Sequence, residues 1–250
     1  GSYKETVFSL SLLNKIKILK TYSHPADNNF ISPGIDTSLF KPGTFMKYYS
    51  FEKIKTLIDE LRDHVDYVFS FFGPVFGGRT SIFHILKIIT KIEKRTGMRV
   101  GLLGFIAIRH KSDFYYIRQA LEYIRNHGLT KYVKLSSQVL SIPAKVALCN
   151  YSDAHLYPIM NPIEISDPPF SVLEYSACEK PSIFLSYGIL KKLYPVKECT
   201  YQQYSIDNVV KAAKRCLNVE SRKRKMLRFM VERYFSLTQL VRKMCTLVED

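Results

Sequence analysis

No stretch of this 250-residue sequence reaches the roughly 18–20 consecutive apolar residues that cross a bilayer. Its longest apolar clusters are broken by Lys or Arg, so no spanning helix is expected. Cysteine is sparse and scattered: Cys149, Cys178, Cys199, Cys216 and Cys245 form no C-x-x-C, and no histidine pair stands nearby at zinc spacing. That excludes a zinc ribbon or a dithiol motif. An odd, dispersed set points to a reducing, cytoplasmic compartment and to buried thiols. Repeats, low-complexity tracts, a Walker A loop and a G-x-G-x-x-G are all missing. Acids are also scarce: 22 Asp and Glu stand against 37 Lys and Arg, for a net charge of +15. Such an excess attracts polyanions, whether nucleic acid, anionic lipid or phosphorylated ligands. Much of it falls between Lys211 and Arg228, where eight Lys or Arg residues face the single acid Glu220. This stretch reads either as a solvated helix face or as a surface for an anionic membrane. Nucleic acid is not the expected partner: no DNA- or RNA-binding motif accompanies the charge, and Tyr and Phe do not cluster into a stacking stripe.

What is present is an alternation. Asp66 to Phe72 is short, aromatic and β-rich, and it stops at Gly73. Ile82, Ile85, Leu86, Ile89 and Ile92 recur at helical spacing, with Lys87, Lys91 and Lys94 on the other side. Val100 to Ile108 is an unbroken apolar run, the pattern of a strand buried on both faces. Ile117, Ala120, Leu121 and Ile124 mark a helix ending near Asn126-His127-Gly128. Further strands are predicted at Tyr132–Leu135, Ala154–Met160 and Ser182–Ser186, with helices at Ile142–Tyr151 and Phe170–Cys178 between them. Strand–helix alternation with buried strands implies an α/β fold, a Rossmann-like parallel sheet with helices on both faces. Helices alone are predicted for 206–250.

In such a sheet, ligands sit beyond the carboxyl ends of the strands. Two loops there carry chemistry. Gly73-Pro-Val-Phe-Gly77-Gly78-Arg79-Thr80 follows a strand and opens a helix. Its glycines allow close backbone approach, free N–H groups at the helix start favour an anion, and Arg79 adds a full charge. The other reading is a tight strand-to-helix turn. Ser166-Asp167-Pro168-Pro169-Phe170-Ser-Val-Leu-Glu174 is the second loop, with prolines suited to a helix start. Glu174 is then either ordinary helix-start chemistry or a carboxylate accepting hydrogen bonds from both hydroxyls of a ribose.

Taken together, these segments resemble glycosyltransferase family 4. Phe30-Ile-Ser-Pro-Gly-Ile-Asp36 through Phe40-Lys-Pro42 is similar to that family's Pro-Asn-Gly-Val-Asp…Phe-x-Pro linker segment. Phe72-Gly73 to Arg79-Thr80 resembles its Gly-Arg…Lys-Gly strand and loop. Tyr151-Ser-Asp-Ala-His-Leu-Tyr-Pro158 is similar to Ala-Asp-Val-Phe-Val-x-Pro. Phe170-Ser-Val-Leu-Glu-Tyr-Ser-Ala-Cys-Glu-Lys-Pro-Ser-Ile183 resembles Phe-Gly…Leu-Glu-Ala-Met-Ala-Cys-Gly-Lys-Pro-Val-Ile, and Arg233-Tyr-Phe-Ser236 resembles the start of the last helix. All five stand in the family's order.

The resemblance implies one half of a GT-B fold. Residues 3–38 would be a remnant of the acceptor domain and linker, 39–205 the nucleotide-sugar donor domain, and 206–250 C-terminal helices. Such a chain alone is expected to bind donor, a UDP- or GDP-hexose, without transferring it. By position, Glu174 matches the second Glu of the Glu-x7-Glu motif, the ribose ligand. Arg79 lies near the motif's Lys and would hold the diphosphate, with Gly73, Gly77 and Gly78 giving backbone access. The loop from Ser136 to Pro143, with Ser137, lies where the family packs the base, and Phe170 opens the donor-side helix. Ser166 replaces the motif's first Glu, with Asp167 one residue away as its substitute, and Pro74 replaces a phosphate-binding Arg. The implied chemistry is retaining transfer without a metal or other cofactor, to a saccharide or lipid-linked acceptor. The diphosphate leaves under positive charge, and Arg79, Ser166 and Asp167 are its catalytic candidates. The rival readings are a degenerate module that binds nucleotide sugar without catalysis, and a basic α/β module for nucleic acid.

Overall fold

The computed structural model describes residues 34–74, 80–108, 111–160 and 168–249. Chain order gives α1 (Tyr49–Arg62), β1 (Tyr67–Gly73), α2 (Ile82–Thr96), β2 (Val100–Ile106), α3 (Lys111–Asn126), β3 (Val133–Ser136) and α4 (Ile142–Tyr151). It continues with β4 (Ala154–Tyr157), α5 (Phe170–Ala177), β5 (Ser182–Leu185), α6 (Gly188–Leu193), β6 (Thr200–Tyr201), α7 (Ile206–Leu217), α8 (Ser221–Tyr234) and α9 (Leu237–Glu249).

The strands form one six-stranded sheet in the order β3-β2-β1-β4-β5-β6, and every pairing is parallel. β2 is buried along its whole length, which is why its sequence shows no polar alternation. The Ile82–Ile92 face of α2 is likewise buried. Gly97 stops that helix in the left-handed conformation, φ +70°, where a side chain would be strained. α2 packs against α3 and α7, whereas α1, α4, α5 and α8 pack in succession, so the sheet lies between two helical layers. Asp207 at the start of α7 fastens it to α2, pairing with Lys91 at 2.5 Å and Arg95 at 3.1 Å.

Three readings of the sequence need correction. β4 ends at Tyr157, not Met160, because Pro158 has no N–H to continue a ladder. β2 ends at Ile106 rather than Ile108. α6 and the two-residue β6 extend the fold past Ser186, where no element was predicted. The thiols divide as well: Cys149, Cys178, Cys199 and Cys216 are buried and free, while Cys245 is exposed.

Candidate functional site

The sheet order reverses direction between β1 and β4, which makes this pair the topological switch point where doubly wound sheets leave a crevice. β1 ends there at Gly73, whose φ of +141° is a conformation that side-chain-bearing residues avoid. The loops leaving the two strands meet nearby: Thr80, just before α2, donates its hydroxyl to the Pro158 carbonyl at 3.3 Å.

α5 starts beside this crevice, and packing fixes its rotation. Tyr175 is fully buried and lies flat on His155 of β4, with centroids 4.4 Å apart. Its hydroxyl bonds Ser70 of β1, and Ser70 reaches Ser152 at 2.8 Å. This paired polar chain satisfies groups that would otherwise be stranded in the core. It sets α5 so that the neighbouring residue, Glu174, approaches α4. There the Lys145 ammonium donates to Glu174 Oε1 at 3.2 Å and lies 5.3 Å from the centre of the Phe72 ring, one residue before Gly73.

Glu174 is only 7% exposed. Burial pushes its carboxyl above the usual carboxylate range, and the Lys145 charge opposes that shift. Oε2 is buried and finds no hydrogen-bond partner among the described residues. A buried acceptor left empty is costly, so this atom marks a place where an incoming donor would be favoured.

Phe72, Gly73, Lys145 and Glu174 are thus brought together. Phe170 stands at the first position of α5, about half exposed. Ser137 is exposed immediately after β3. The loop it opens presents Val139 to solvent and the start of α4 presents Ile142, at 83% and 56% exposure, and apolar tips of this kind suit the flat face of a ring. The loop also borders a groove of about 690 Å³ that runs along β3 and α1. Ala144 lines that groove but Lys145 and Glu174 do not, so it adjoins the crevice without including it. Gly77, Gly78, Arg79, Ser166 and Asp167 lie outside the described residues.

No protein-family model and no curated protein sequence matches the chain, but solved structures do. A glycosyltransferase from Rickettsia africae superposes with a TM-score of 0.66 at 15% identity, over 87% of this chain and 55% of that one. The C-terminal domain of a group 1 glycosyl transferase from Francisella tularensis gives 0.60 at 13% identity, over 82% of this chain and 100% of that domain. Anabaena HepE in complex with UDP and glucose gives 0.61 at 15% identity, over 88% and 56%. The fold is that of one half of a GT-B glycosyltransferase. The chain therefore spans about half the length of the Rickettsia and Anabaena proteins.

Within this fold, Lys145 is the member of the Glu174 cluster that reading along the sequence overlooks. Its partner is 29 positions away, so only tertiary packing pairs them. A signal was nevertheless present: Lys145 is the one charge in Ile-Pro-Ala-Lys-Val-Ala-Leu-Cys, a helix segment otherwise made for burial. His84 of α2 also makes contacts that the sequence does not announce. Its Nδ1 meets the Tyr204 hydroxyl at 2.8 Å and the Met160 sulfur at 3.2 Å.

Proposed function

We propose that this chain is the donor-binding half of a retaining glycosyltransferase of the family 4 type, and that it takes a UDP- or GDP-hexose. The observation that carries this reading is Glu174, a buried carboxylate at the switch point with one oxygen held by Lys145 and the other unpartnered. A ribose offers two vicinal hydroxyl donors to such a group. The exposed apolar tips of the loop after β3 receive the base. Gly77, Gly78 and Arg79 are assigned to the diphosphate, and Gly73 at the end of β1 allows close backbone approach. Ser166 and Asp167 are assigned to the transferred sugar by their position in the motif.

In the transfer step the bond from the anomeric carbon to the diphosphate oxygen breaks. Arg79 and backbone N–H groups stabilise the charge that develops on the leaving group. The leaving oxygen takes the proton of the incoming hydroxyl, whose oxygen bonds to the anomeric carbon. No metal is assigned to this step. The acceptor is a saccharide or a lipid-linked saccharide, received with the help of surfaces from the other GT-B half.

Calorimetry with UDP, GDP and their sugars tests the reading. Glu174→Ala should weaken nucleotide binding by roughly 1.5–3 kcal/mol, the worth of hydrogen bonds to a charged group. An unchanged dissociation constant would remove Glu174 from the site. One sequence feature favours a second reading, binding without transfer: Ser166 stands where the motif has its first Glu. Nucleotide sugar bound but neither hydrolysed nor transferred when the chain is joined to an acceptor half, even with Ser166→Glu, would select it.

A further inference from the structure

The basic stretch between Lys211 and Arg228 does not present one uniform surface. Arg215 is turned inward to the carbonyls of Glu198 and Thr200, and Lys223 pairs with Glu198 at 2.6 Å. Arg224 donates to the Val219 carbonyl. Arg228 donates to the carbonyls of Thr37, Phe40 and Ala177. These four hold the fold together.

The outer face of α8 is different. At about 100° per residue, Arg222, Lys225, Met226, Phe229 and Arg233 fall on a single stripe, opposite the buried Leu227 and Val231. All five are exposed, Met226 at 49% and Phe229 at 59%. Arg222 and Lys225 join no ion pair among the described residues, and Arg233 lies 5.9 Å from the Phe229 ring centre. The nearby acids are Glu220 at the start of the helix, and Glu232, which is occupied by Arg228 at 2.7 Å.

We infer that this face of α8 is a docking surface for an anionic lipid bilayer. Apolar tips ringed by cations fit a bilayer interface, where the tips enter the acyl boundary and the cations meet the headgroups. A nucleic-acid backbone would engage the cations but leave Met226 and Phe229 in water. The sign of the partner also follows from the whole chain, whose net charge is +15. This surface is separate from the crevice: Arg228 ties α8 to Ala177 at the far end of α5 from Phe170, at 2.9 Å.

The test is co-sedimentation of the full chain with phosphatidylcholine vesicles, with and without one-third phosphatidylserine, beside duplex DNA as the competing polyanion. Binding is expected only with phosphatidylserine. Arg222→Glu with Lys225→Glu should reduce it at least tenfold, since each surface cation contributes about fivefold. Met226→Ser with Phe229→Ser should reduce vesicle binding about tenfold while leaving any DNA binding unchanged. Both double variants should keep the parent Tm and nucleotide affinity, which reads the crevice independently. No binding to anionic vesicles would overturn the inference. So would vesicle binding indifferent to Met226→Ser and Phe229→Ser, which would make the attraction a matter of charge alone.

Discussion

Glu174 carries a charge that its surroundings disfavour, and Lys145 is what makes the charge tenable. Replacing Lys145 by Met should raise the Glu174 carboxyl further above its ordinary range, because the opposing charge is lost and burial remains. On the proposed reading Glu174 must be ionised to accept two ribose hydroxyls, so the pH midpoint of nucleotide binding should move upward in Lys145→Met. Affinity should then recover as pH rises. Calorimetry between pH 5 and 8 measures this, and a midpoint that stays put or moves down would detach Lys145 from the site. His155 makes the opposite demand. Burial holds its imidazole down, from 6.5 to about 3. A histidine depressed in the folded state leaves the unfolded chain binding more protons between those values. Stability is therefore intact above pH 6.5 and falls as pH drops below it, by up to roughly 1.4 kcal/mol per unit. Urea unfolding at pH 7 and pH 5 should differ by about 2 kcal/mol on this account, and His155→Phe, which keeps the ring stack with Tyr175, should lose most of that difference.

At the scale of elements, Arg228 does the work of a joint. From α8 it bonds the carbonyls of Thr37 and Phe40 in the entering segment, the Ala177 carbonyl closing α5, and Glu232 one turn on. Arg228→Met leaves those carbonyls unpaired in a half-buried setting and should cost about 2–4 kcal/mol. At roughly 2–4 °C per kcal/mol for a chain of this size, the melting temperature should fall by several degrees or more, which calorimetric melting would show. Elements of this kind differ in how well the sequence announces them. β2 and α2 were legible because burial on both faces, or on one helical stripe, leaves a periodic trace. α4 is legible with its observed bounds, since Pro143 suits a first turn and the apolar run fixes its length. β6 was not legible: two residues show no period, and the strand exists because β5 offers it an edge. In the crevice, Gly73 and Glu174 could be singled out from position after a strand and after paired prolines. The Lys145 pairing could not, because it depends on where α4 lies against α5.

For the molecule as a whole, the parallel order β3-β2-β1-β4-β5-β6 follows from the strand–helix alternation once crossovers keep one hand. That order alone locates the crevice between β1 and β4. The sheet also explains why one GT-B half can be expected to recognise a nucleotide without help. Phe72, Gly73, Lys145 and Glu174 all belong to the same folded unit, so this cluster exists before any acceptor surface meets it. Binding should then appear as global stabilisation. A ligand that binds only the folded chain adds about 2.7 kcal/mol at a hundred times its dissociation constant. Converted at roughly 2–4 °C per kcal/mol, this is a rise of about 5–11 °C in melting temperature on adding UDP or GDP. Glu174→Ala should show a much smaller rise at the same nucleotide concentration, and Arg222→Glu with Lys225→Glu should show the full one, since those cations face away from the crevice. Equal loss in both variants would mean that the nucleotide is held by the chain's general positive charge, and that the crevice at the switch point is not its site.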